Sequence, residues 1–307
     1  INATTTISTG LYSYGVTVDG ANNIYVSDSN DRILKYSSSN SNATIVAPSS
    51  TTPGATGSQL GSPLAIFSNL NGDLYISDTN SYCAGACWYS SNNYRIQKWI
   101  NGDNWGTTVA GGYGLGTALN QIGICYGIFV DISGNLYVSD YTNHRVTKWP
   151  PYSTSGIVVA GNNGSGSNAT QLSNPQGVFV DGAGNLFVAD TGNNRVQRFA
   201  PGSTSGVTVA GGNGAGPYPT QLNQPTSVYV DSNGNVFVLD SQNQRIQQWS
   251  PNVDYGVTVF DGSTGVFGMN ARAMTMDSMG NIYIADTQGQ RIQKLPIIST
   301  GICGKYI

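Results

Sequence analysis

Glutamate is absent from this 307-residue chain, histidine occurs once, and charged residues make up 9% of it, against about 25% in an ordinary globular protein. Any carboxylate pair for acid–base chemistry must therefore come from aspartate alone, and a metal centre built on several imidazoles is excluded. With 13 Lys and Arg residues and a net charge of -3, the chain lacks the clustered cations that grip nucleic-acid phosphates or anionic membranes. No apolar run approaches the ~20 residues of a membrane-spanning helix, and no segment has the order of a secretion leader. The start at Ile1 reads as that of a processed or trimmed chain. What is abundant instead is Gly, Ser, Thr, Asn and Tyr, so solubility rests on neutral polar groups.

One phrase recurs six times, most cleanly at residues 177–199, GVFVDGAGNLFVADTGNNRVQRF. The Asp closing its second apolar run falls at Asp28, Asp78, Asp140, Asp190, Asp240 and Asp286, with spacings of 50, 62, 50, 50 and 46. An Arg follows each, at Arg32, Arg95, Arg145, Arg195, Arg245 and Arg291. Short alternating strands at such a period signal radial repetition, because one unit cannot bury both faces of its sheet. In the fourth copy the strands are Gly177 to Asp181, Leu186 to Asp190, Arg195 to Phe199 and Gly206 to Ala210, with Gly184 taking a positive φ in the first hairpin. Six four-stranded antiparallel units closed into a ring make an all-β, six-bladed β-propeller. Because cutting the ring would expose blade faces, residues 1–307 are read as one domain.

Links between units carry a Leu before a Pro, as in Leu60 with Pro63, Leu172 with Pro175 and Leu222 with Pro225. That Leu reads as a plug between blades. The third unit offers Leu119 without a Pro, and the link after Phe260 has neither. The sixth unit lacks its own outer strand, which the N-terminal segment is expected to supply from the opposite end of the chain.

The string L-x-x-P-x-G-V-x-V-D-x-x-G-N-L-x-V-A-D-T-x-N-N-R-V-Q-x-F at residues 172–199 resembles the NHL repeat, and the six copies span nearly the whole chain. That resemblance implies a six-bladed propeller used mainly as a binding platform, with a few lyases and lactonases among its members. It implies a shape more firmly than a task.

Cys83 and Cys87 lie in an insertion, NSYCAGACWYSS, and are expected to close a local disulfide. Cys125 precedes the first strand of unit three and Cys303 lies in the C-terminal tail, so a bond from Cys303 of one subunit to Cys125 of the next is the sharper alternative to an intrachain bridge. Asn2, Asn42, Asn163 and Asn168 each begin Asn-x-Ser/Thr, and all four fall outside repeat strands. Together these features favour an extracellular, secreted glycoprotein.

Candidate chemistry is sparse. The six Asp/Arg pairs read as structural, each a carboxylate–guanidinium contact tying a hairpin to the third strand. Asp19, Asp131, Asp181, Asp231 and Asp277 end first strands in a D-x-x-G-N turn, where the carboxylate caps backbone amides. Asp31, Asp73, Asp103, Asp254 and Asp261 are left over in loops, and His144 is read as a solvated turn residue. The tunnel mouth is opened by Tyr14, Leu64, Tyr126, Gln176, Thr226 and Arg272, where no carboxylate pair or Cys–His pair converges. No catalytic residue, metal or cofactor is assigned, and an enzyme of the lactonase or lyase kind is disfavoured.

A binding or structural role is expected instead. Tyr82, Trp88 and Tyr89 in the cysteine insertion, Trp105 in the same unit, and Tyr14, Tyr126 and Arg272 at the tunnel mouth are the candidate contact residues, suited to protein or glycan. The expected function is a secreted scaffold, with head-to-tail self-assembly through terminal strand and Cys contacts as one form. The alternative is a monomeric propeller recognising a peptide or glycan.

Overall fold

A computed structural model describes residues 5–37, 40–48, 50, 53–79, 93–263 and 265–296. Among these residues twenty-four strands form six four-stranded antiparallel sheets, each a blade of one ring. The inner strands are Ser13–Val18, Pro63–Ser68, Cys125–Val130, Val178–Val180, Pro225–Val230 and Ala273–Met276 for blades one to six. In blade four the remaining strands are Leu186–Asp190, Arg195–Phe199 and Val207–Gly211. These match the expected ranges to within a residue at each end, and Gly184 sits at φ +81 in the first hairpin.

Blade six takes its outer strand from the other end of the chain. Thr5–Thr9 runs antiparallel to Arg291–Leu295, pairing Thr5 with Lys294 and Thr9 with Arg291 across one bulge. The ring is therefore latched by its own N-terminal segment, as expected.

Each blade face is buried against the next. Between blades three and four, Tyr137, Val146 and Ala160 pack with Leu172, Val178, Val188 and Phe199, the removal of apolar area from water that one sheet could not achieve alone. The plugs are Leu60, Ile122, Leu172, Leu222 and Phe267, all fully or almost fully buried. This corrects two sequence assignments. Leu119 is 49% exposed and Ile122 fills the seam in its place; the shortened sixth link does carry a plug, Phe267. An aromatic ring fills the seam where the link is shorter.

A second device repeats at every seam. A hydroxyl beside the second-strand Asp donates to a carbonyl at or just before the start of the next inner strand: Ser27 to Leu64 at 2.7 Å, Ser77 to Cys125 at 3.0 Å, Ser139 to Pro175 at 2.7 Å, Thr191 to Pro225 at 2.7 Å, Ser241 to Ala271 at 3.0 Å and Thr287 to Ser13 at 2.5 Å. These bonds hold the inner strands close around the axis. So close do they run that a Cβ on Gly127 would collide with the Gln176 carbonyl oxygen.

The tunnel mouth as the candidate functional site

All six Asp/Arg pairs form, with N···O distances from 2.6 to 2.9 Å. They do more than tie a hairpin. The Arg195 guanidinium also donates to the carbonyls of Ser167, Asn168 and Gln171, at 2.7, 3.2 and 3.3 Å, while Asp190 accepts the Ser173 amide. Arg145 and Arg245 bind their own links in the same way. These pairs, together with those of Arg95 and Arg291, staple the incoming link to its blade. Burial pushes the Asp78, Asp190 and Asp240 carboxyls above the ordinary carboxylate range against the pull of their partners. Pairs this costly to desolvate set register more than they add net stability.

Other ionisable groups are also taken up by the frame. Asp19 accepts the amides of Ala21 and Asn23 and the Tyr25 hydroxyl, and Asp277 accepts the Met279 and Asn281 amides and the Tyr283 hydroxyl. Lys35, Lys98, Lys148 and Lys294 stand 5.3 to 5.5 Å from the ring centroids of Tyr25, Tyr75, Tyr137 and Tyr283. Two aspartates read as left over belong here as well. Asp73 exchanges places with the turn Asn, so that Asn69 caps the Asn71 and Asp73 amides and donates to Asp73 at 3.1 Å. Asp31 accepts the Ser62 amide across the first seam. His144 is likewise not a solvated turn residue: its Nδ1 accepts the Asn174 amide at 3.0 Å, joining blade three to blade four. Its left-handed backbone, φ 56, aims the ring at that seam, as φ 54 aims the Asn194 side chain at Gln224.

The axis holds a cavity of about 220 Å³ lined by all six inner strands. Its throat is aromatic. Phe67, Phe129, Phe179 and Tyr229 occupy one strand position in blades two to five and meet edge-on or tilted with centroids 5.0 to 5.2 Å apart. At the mouth, the Arg272 guanidinium carbon lies 5.7 Å from the Tyr126 ring centroid. Blades three and six face each other across the ring, so this contact spans the tunnel. The sequence placed both residues at the mouth; their meeting follows from the six-fold count. Tyr126 also packs edge-on against Tyr141 at 5.1 Å. Arg272 makes no ion pair among the described residues, and its Nε is buried without a hydrogen-bond partner. Among the described residues no carboxylate lines the cavity and no three His, Cys, Asp or Glu side chains converge.

The remaining expected sites are scattered. Tyr14 is half-buried at the start of the blade-one inner strand. Trp105 lies in the turn before the outer strand of blade two, over Gly57, whose added Cβ would meet the indole. Asn42 is exposed but lies within the blade-one outer strand, Asn40–Ala47, which corrects the expectation that every sequon falls outside the repeat strands; Asn163 and Asn168 are exposed in the link between blades three and four. Cys125 is a free, fully buried thiol whose Sγ donates to the Gly127 carbonyl at 3.2 Å. Burial in the closed ring keeps this thiol from solvent, and Cys303, its expected partner, lies outside the described residues. Asn2, Tyr82, Cys83, Cys87, Trp88, Tyr89 and Cys303 lie outside the described residues.

The family model of the NHL repeat matches residues 172–199 and 222–249. No curated protein sequence matches the chain. Among solved structures, it is similar to a gluconolactonase from Xanthomonas campestris, with 14% identity, 96% of this chain and 89% of that one covered, and a TM-score of 0.68. An auxiliary nutrient binding protein from Bacteroides ovatus shows 13% identity, coverage of 92% and 68%, and a TM-score of 0.65. A chain of the nidogen/laminin complex shows 18% identity, coverage of 81% and 80%, and a TM-score of 0.59. At these identities the likeness is one of fold.

Proposed function

From the premise that the chain is an NHL-repeat six-bladed β-propeller, we propose that it is a non-catalytic binding platform, secreted and glycosylated, which holds a protein or glycan partner. The observation that carries this reading is where the ionisable groups are spent. Six Asp/Arg pairs form and five of them staple links, five aspartates cap turns and four lysines stand over tyrosine rings, while among the described residues the tunnel presents one guanidinium and no carboxylate. A proton-transfer or hydrolytic site needs a base within hydrogen-bond reach of a bound substrate, and this cavity wall offers none.

The rim supplies surface for a partner. In the link between blades two and three, Tyr113, Leu115 and Leu119 are all about half or more exposed, at 61, 55 and 49%. Aromatic and aliphatic side chains among neutral polar neighbours suit protein or glycan contact. One blade along, the equivalent link carries the two sequons at Asn163 and Asn168, so glycans would flank that patch. The neighbours named for nutrient binding and for the nidogen/laminin complex are consistent with a fold that holds partners; the gluconolactonase keeps the contrary test in view.

Glycopeptide mapping of natively produced chain at Asn42, Asn163 and Asn168 tests secretion, and unmodified peptides at all three would remove it. Incubation with a panel of aldonolactones tests the non-catalytic half. Product release proportional to protein concentration would overturn it. Self-assembly through the terminal strand would exchange Thr5–Thr9 between subunits in place of its pairing with Arg291–Leu295. Sedimentation of the native chain across concentration checks it.

A further inference from the structure

The geometry points to the tunnel mouth as a binding site for a small monocarboxylate with an apolar or aromatic tail, Arg272 holding the carboxylate and the Phe129–Phe179–Tyr229 throat receiving the tail. Nothing in the binding-platform reading requires such a ligand.

Arg272 stands apart from the other arginines near it in kind. Six arginines are paired with aspartates, whereas Arg272 projects into the axial cavity, makes no ion pair among the described residues and leaves its Nε buried and unpartnered. An unpaired buried donor on a charged group carries its desolvation cost without return, which a ligand oxyanion would offset. The guanidinium carbon lies 5.7 Å from the Tyr126 ring centroid, a cation–π contact that holds the side chain at the mouth without using its N–H donors, which can meet a carboxylate in fork geometry. The orphan Oε1 of Gln176, at the same strand position of blade four and 5% exposed, marks a second buried polar group left unpaired at this level.

Charge and lining select among ligands. A metal cation is disfavoured, since the cavity presents a positive group and no carboxylate. An inorganic anion would satisfy Arg272 but leave the wall of Phe129, Phe179 and Met274 against water. A carboxylate bearing a short apolar tail satisfies both ends within about 220 Å³.

Calorimetric titration of the full chain with phenylacetate, acetate, inorganic phosphate and phenylacetamide tests this. Phenylacetate is expected to bind saturably, the neutral amide more weakly by about tenfold or more, the worth of a charge-assisted bond, and acetate and phosphate more weakly by a similar factor of about ten because they bury no ring. R272Q is expected to lower phenylacetate affinity by a similar factor of about ten, with its melting temperature recorded to confirm folding. If that variant does not fold, the amide comparison on the unaltered chain decides. Equal binding of phenylacetamide, phosphate binding tighter than phenylacetate, no saturable binding at all, or undiminished binding by folded R272Q would each overturn the site. Whether bound acid is recovered intact bears on the non-catalytic reading alone.

Discussion

Asp190 Oδ1 accepts the backbone N–H of Ser173 at 2.7 Å, so the carboxylate that pairs with Arg195 also fixes the residue after the Leu172 plug. One aspartate thereby joins a hairpin, an arginine and the seam to the preceding blade. Its opposite oxygen takes Arg195 Nε at 2.7 Å and the Asn193 amide at 2.8 Å. The pair works as a junction of backbone segments.

Replacing Arg195 by Ala should therefore cost about 3–5 kcal/mol, because a buried carboxylate is left without its partner and three link carbonyls lose their donor. Arg32→Ala should cost less, since Arg32 is 35% exposed beside Asp28 and water replaces part of what it donates. Denaturant unfolding of the two variants side by side measures the difference. Equal losses would show that the link contacts contribute nothing.

Plug identity can be tested at the third seam. Ile122 is fully buried and Leu119 about half exposed, so Ile122→Ala should cost about 2–5 kcal/mol and Leu119→Ala no more than about 0.5 kcal/mol. Thermal unfolding ranks them. A larger loss at Leu119 would return the plug to the position the sequence pattern first suggests.

That misplacement shows what the pattern carries and what it leaves out. Strand positions were legible because alternation and the D-x-x-G-N turn recur at each copy, and the latch at Thr5–Thr9 followed from a missing outer strand. The plug was legible only where Pro marked its offset; Ile122 and Phe267 occupy the same space without that mark. Asp73 and Asn69 hid the turn signature by trading places, which preserves the hydrogen bond and defeats a reading by residue type. His144 looked like a turn filler because its use depends on the left-handed φ that aims it across the seam. Most telling is the cation–π contact of Arg272 with Tyr126, residues 146 positions apart by subtraction of their numbers, which only ring closure brings together.

Ring closure itself rests on few residues. A chain beginning at Gly10 loses the strand paired with Arg291–Leu295, together with the Thr6 hydroxyl bonded to Gln293 at 3.2 Å. It should unfold at lower temperature and associate through the bared edge of blade six, since an open strand edge templates pairing. Calorimetry and sedimentation check both parts. A monomer with unchanged melting temperature would mean that the latch is dispensable.

Alkaline pH should reveal the buried tyrosine contacts. Burial, then the charge and acceptance of Asp131, push the Tyr137 hydroxyl from its ordinary 10 up to about 12. Burial and Asp19 raise Tyr25, and burial and Asp277 raise Tyr283, further still. A hydroxyl whose value is raised by folding binds its proton more tightly folded than unfolded. Its stabilisation is whole below pH 10 and disappears as pH climbs through the raised values. Tyrosinate absorbance should accordingly rise in two stages, exposed rings first and these three only with loss of tertiary signal. A single stage centred on the ordinary value would contradict the assigned contacts.

Cys125 offers the sharpest check on assembly. Its thiol is wholly buried, donates to Gly127 and is raised by that burial well above the ordinary thiol value, and the thiolate is the species that alkylates or exchanges disulfides. Native chain treated with iodoacetamide should leave Cys125 unmodified, while the same treatment in denaturant should label it, as read by peptide mass spectrometry. Any covalent ladder on a non-reducing gel must then run through other cysteines. Mapping a native intersubunit disulfide to Cys125 would require the inner strand of blade three to open, and with it the seam that Ser77 closes onto the Cys125 carbonyl at 3.0 Å.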